Sequence, residues 1–176
     1  MGFLWSQPER HDPDHTLKTS LLQSSPELIF HSGDLLLVPA SALEITLNRD
    51  LWSKVAIVVH KHNKVFAFSN GNYSPIGQFL LNFPNAVCRP LHCIRYTGFV
   101  RDVQDAASRT QELLLSNVKL PVDAREGYCA GTVLGILGLI HLQTLTIHFG
   151  QLRPRHFAPG GPLELKDYTR ECWNVH

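Results

Sequence analysis

The chain has 176 residues, 44% of them apolar and 18% charged, with a formal net charge of +1. One domain of that size buries roughly 70% of the surface its unfolded chain exposes, so one core is enough. A charge so near zero gives no basic field for nucleic acid or anionic lipid, and neither is expected as a partner.

Residues 1–26 carry three prolines and many polar groups and close on Ser24-Ser25-Pro26, the composition of a flexible arm; a single domain is expected over 27–176. The first residues, MGFLWS, match the acceptor pattern for N-myristoylation at Gly2. After a turn at His31-Ser32-Gly33-Asp34, Leu35 to Val38 is short, apolar and stopped by Pro39, as a buried strand would be. Ala42 to Leu47 reads as a brief helix or loop.

The segment WSKVAIVVH, residues 52–60, leads with polar groups into a β-branched run, and VFAFS at 65–69 resumes after the polar turn HKHNK. Together they predict a β-hairpin. Ile76, Phe79 and Leu80 fall at helical spacing, and Ala86 to Ile94 reads as a strand that Pro90 interrupts. Asp102 to Asn117 predicts a surface helix with Asp102 as its N-cap. Pro121 to Gly127 reads as a polar loop, after which Cys129 opens an apolar helix. Thr132 to Leu142 within it is well short of the ~20 residues needed to cross a bilayer, so no membrane span is expected. Gly131, Gly135 and Gly138 thin one face of that helix for close packing. The order predicts an α+β fold, a small mostly antiparallel sheet packed against helices.

The four cysteines, Cys88, Cys93, Cys129 and Cys172, form no CxxC pair and no secretory leader precedes them, which points to reduced thiols in an intracellular, cytoplasmic setting. A cysteine in the first turn of a helix faces unpaired N–H groups that stabilise thiolate, and Cys129 has that address; the competing reading is a packed core thiol. His60 and His62, two residues apart on an extended chain, point to one face and could share a metal with Cys88, His92 or Cys93. A wet hairpin tip explains them better, and no metal site is expected. No phosphate-binding or dinucleotide fingerprint is present and no cofactor is expected.

Four stretches in this order resemble the circularly permuted papain-like thiol hydrolases, relatives of the NlpC-type peptidases that include YiiX-like bacterial proteins and a poxviral branch. They are GDLLL at 33–37, WSKVAIVV at 52–59, SPIGQFLLNFPNAVCRPL at 74–91 and Tyr128-Cys129 before a helix. The resemblance covers about residues 30–142. It implies a permuted papain-like fold, amide or acyl ester chemistry with Cys129 as nucleophile, and a histidine at the position that Lys54 occupies. The third polar residue implied by the family falls near Phe68, with Ser69 adjacent.

Lysine is a poor general base at neutral pH, since its ordinary pKa is about 10.4. His60, six residues along the strand, lies roughly 20 Å away, too far to replace it. Three readings follow. The favoured one is a pseudoenzyme that has lost its base and binds a protein partner, a peptide or a lipid acyl chain beside Cys129. The others are an active thiol hydrolase or acyltransferase using Cys129 with Lys54 or a histidine from elsewhere in the chain, and an unrelated nonenzymatic domain. For Lys54 alone, the plain alternative is a charge that guards a sheet edge.

Overall fold

The computed structural model describes residues 29–48, 50–92, 96–116, 119–140, 151–163 and 165–175. The expected arm, Gly2, Cys93 and His141 lie outside them. Strand β1 (Leu35–Pro39) is followed by helix α1 (Ala42–Asn48), strands β2 (Trp52–Lys61), β3 (Lys64–Ser69) and β4 (Asn72–Pro75), and helix α2 (Ile76–Asn82). Strand β5 (Val87–Arg89), helices α3 (Phe99–Leu115) and α4 (Val122–Ile136), a 3-10 turn (Pro154–Phe157) and strand β6 (Trp173–Asn174) complete the order.

The strands form one sheet in the order β4-β3-β2-β1-β5-β6, antiparallel at every pairing. The α+β expectation is thus met. The β2–β3 hairpin turns on His62-Asn63, both with positive φ, in the two-residue form whose twist matches that of the strands. A second such turn at Asn70-Gly71, also with positive φ at both residues, adds β4, a strand not among those expected.

Alternation along β2 feeds two cores. Val55, Ile57 and Val59 face α3, α4 and the C-terminal segment, where Leu134, Leu152 and Phe157 are fully buried. Ala56 and Val58 face a smaller core with Phe30, Phe79 and Leu80. Each buried Val, Leu, Ile or Phe side chain contributes about 1.5–3 kcal/mol. Helix α3 joins the larger core through Phe99, Val103, Ala106, Ala107 and Thr110, one helical stripe. Its N-cap is Gly98, four residues upstream of the expected N-cap, and Asp102 lies in the first turn, accepting from the Tyr96 hydroxyl. Ser41 and Glu44 form a reciprocal capping box that starts α1.

Helix α4 departs most from expectation. It begins at Val122 behind Pro121, so residues 122–127 are helix and not loop. It ends at Ile136 because Gly138 takes a positive φ and the amides of Gly138 and Leu139 close back on the carbonyls of Gly135 and Leu134. The apolar run continues, but the helix does not.

Candidate functional site

Lys54 stands near the start of β2, a strand interior to the sheet whose pairing with β3 begins only at Ile57. Alternation puts it on the face of the smaller core, where its ammonium lies 5.4 Å from the Phe83 ring centroid. Strand β3 ends at Ser69, short of the register of Lys54, so α4 can approach this part of β2. There its Nζ donates to Glu126 Oε1 of α4 at 2.9 Å. The Glu126 side chain is 13% exposed and that of Lys54 36%. Burial pushes the Glu126 carboxyl up, against the opposing pull of the Lys54 ammonium and the Val55 backbone N–H.

Cys129 is one helical turn beyond Glu126 and only 1% exposed. It is the eighth residue of α4, not part of the first turn, so the unpaired N–H groups at the helix start are too far to favour thiolate. The Gly71 backbone amide donates to the sulfur, but burial outweighs it and Glu126 opposes ionisation, so the thiol is pushed up to about 12. The structure therefore brings Lys54 to Glu126, and places Cys129 in the larger core behind that pair. Ser69 ends β3 opposite Asn72, and Phe68 is fully packed in the larger core.

The open space beside the pair is a cleft of about 480 Å³ lined by Trp52, Ser53, Lys54, Asn70, Glu126 and Arg153, with Glu44, Asp50 and Arg155 also on its walls. Cys129 does not line it. Close approach of backbone makes the cleft wall: a Cβ on Gly127 would lie 2.2 Å from the Leu152 carbonyl oxygen, so only glycine lets residues 152–155 pack there. Arg155 Nη1 is 3.7 Å from Asp50 Oδ2. His156 accepts from the Arg153 backbone N–H through Nδ1 at 2.9 Å, and burial, aided by Arg155, holds its pKa below the ordinary value. His60 places Nε2 2.9 Å from the Phe30 carbonyl, away from this cleft. Among the described residues no group of three or more His, Cys, Asp or Glu side chains is arranged to hold a metal ion, and no helix is long and apolar enough to cross a membrane.

Glu126, Asn70 and the two arginines were not singled out in the sequence. A signal for Glu126 existed: Pro121 followed by Asp123 and Glu126 has the Pro-then-acid pattern of a helix start, which would have placed Glu126 and Cys129 on one helix face.

No family model and no curated protein matches the chain. Among solved structures it is similar to the metalloprotein yiiX from Escherichia coli O157:H7, a DUF1105 protein, at 16% identity and a TM-score of 0.43. The match covers 60% of this chain and 63% of that one.

Proposed function

We propose that this chain is a binding pseudoenzyme, with a papain-like thiol-hydrolase layout whose general base has been lost. The observation that carries the reading is the pairing of Lys54 with Glu126 beside a buried, protonated Cys129. Thiol catalysis needs a base that accepts the sulfur's proton and returns it to the leaving group. Here the Lys54 side chain is engaged by Glu126 at 2.9 Å, and the sulfur is buried behind that pair. Lys54 then sits where the family resemblance implies histidine, Cys129 is a core thiol, and Ser69 has no chemical part. The cleft takes a ligand or partner group without converting it. Free thiols at Cys88, Cys129 and Cys172 support an intracellular setting.

The magnitude is testable. A thiol at about 12 holds about a thousandfold less thiolate at pH 7 than one at the ordinary 9.0. Iodoacetamide labelling of Cys129 in the folded protein, followed by mass spectrometry at pH 7, should run at least that much slower than in urea, and acyl ester and amide substrates should not turn over. Turnover that disappears in Cys129→Ala would refute the proposal and establish a working thiol hydrolase or acyltransferase.

A further inference from the structure

Buried polar atoms in folded proteins are nearly always hydrogen-bonded. Among the described residues, two buried side-chain oxygens, Asn70 Oδ1 and Glu126 Oε2, lack a well-formed hydrogen bond, with the Val55 backbone N–H acting on the Glu126 carboxyl, and both residues line the one cleft. Each costs about 1–3 kcal/mol while unmet. Both are acceptors, so the group they lack is a donor.

Charge narrows the choice. The lining has three cations, Lys54, Arg153 and Arg155, and three anions, Glu44, Asp50 and Glu126. Lys54 faces a carboxylate at 2.9 Å and Arg155 one at 3.7 Å. An incoming cation would meet Lys54 and an incoming anion would meet Glu126, whereas a neutral ligand meets neither penalty. Hydrogen-bond geometry narrows it further, because Lys54 and Glu126 put a donor and acceptors side by side. The N–H and C=O of a trans peptide point in opposite directions and one unit cannot serve both. A hydroxyl donates and accepts through the same atom, and neighbouring hydroxyls can serve both at once.

Shape agrees. The cleft is of small-molecule size and shares Asp50, Trp52 and Arg155 with a second hollow of about 320 Å³ that Leu51, Pro159 and Pro162 also line. Trp52 at the junction gives an apolar surface for the C–H side of a ring. The geometry points to a binding site for a neutral saccharide, whose hydroxyls donate to Glu126 and Asn70 and accept from Lys54. The inference rests on the preceding reading in taking the cleft as a ligand site.

The test is saturation-transfer NMR and calorimetry on the full chain. Maltose, cellobiose and N,N′-diacetylchitobiose are the probes, and acetamide, acetate and methylammonium are the neutral amide, anionic and cationic controls. At least one disaccharide should bind with a Kd of about 1 mM or tighter. Asn70→Gly, which keeps the positive φ of the turn while removing the amide, should weaken that binding at least about tenfold. Binding lost in a variant whose near-UV circular dichroism is unchanged supports the site. The inference is overturned if no disaccharide binds at about 20 mM, if Asn70→Gly binds as well as the parent, or if a control binds more tightly than every sugar. Turnover dependent on Cys129 would sink the pseudoenzyme reading alone, and sugar binding is measured independently of it.

Discussion

Replacing Lys54 by methionine keeps the stem and removes the charge that faces Glu126. At 2.9 Å the attraction between unit charges spans about 1.4 kcal/mol at the dielectric of water to about 6 kcal/mol at an effective value of 20. Lys54 is 36% exposed, so solvent screening and the desolvation of Glu126 bring the net contribution down to about 2 kcal/mol. Loss of the contact with the Phe83 ring adds about 0.5–1 kcal/mol that does not depend on pH. The pH dependence carries the diagnosis. Glu126 has its folded pKa raised above 4.5, so its contribution is fully present below that value and is lost as pH rises through the folded pKa. Lys54 holds that pKa down, so removing it pushes the carboxyl higher and deepens the loss. Lys54→Met should therefore cost about 1 kcal/mol at pH 4 and about 2–3 kcal/mol at pH 7.5. Urea melts followed by tryptophan fluorescence would read this as a midpoint shift of about 1–1.5 M at the higher pH, for an m-value of about 2 kcal/mol/M. Glu126→Gln added to Lys54→Met should recover most of the loss. An equal cost at both pH values, or a larger one in acid, would refute the reasoning.

Gly127→Ala drives a methyl group into the Leu152 carbonyl and should destabilise by about 3 kcal/mol or more, read as a lowered urea midpoint. Asp34 is 1% exposed and accepts from the backbone amides of His31 and Leu91, so Asp34→Ala should cost about 2–4 kcal/mol in the same assay. Asn63→Gly relieves a positive φ in the β2–β3 turn and should stabilise by about 0.5 kcal/mol, seen as a Tm rise of about 1–2 °C.

Much of the sheet was legible because its signals are local. A β-branched run before a polar tip and an apolar, aromatic-rich run after it specify β2 and β3, and the 3.6-residue stripe specifies α3. The Asn70-Gly71 dipeptide carried an equally local signal for the hairpin to β4, yet the following Asn72 to Pro75 lacks the apolar alternation that would draw the eye to a strand. Both ends of α4 were misplaced for one reason. Hydropathy reports burial, and the first turn of this helix is polar while the chain beyond Gly138 stays apolar. Backbone conformation at Gly138 ends the helix, and no hydropathy pattern encodes it. The oddity of Lys54 was visible in the sequence. Its partner was not, because a contact across 72 residues depends on how α4 crosses the end of β2.

The two outermost strands bear on how this protein meets other chains. Strand β6 is two residues long and β4 is four, closing on Pro75, which has no N–H to offer. A neighbouring polypeptide seeking to lengthen the sheet would find only a few open amides and carbonyls on either flank. Strand addition along these two strands is thereby discouraged.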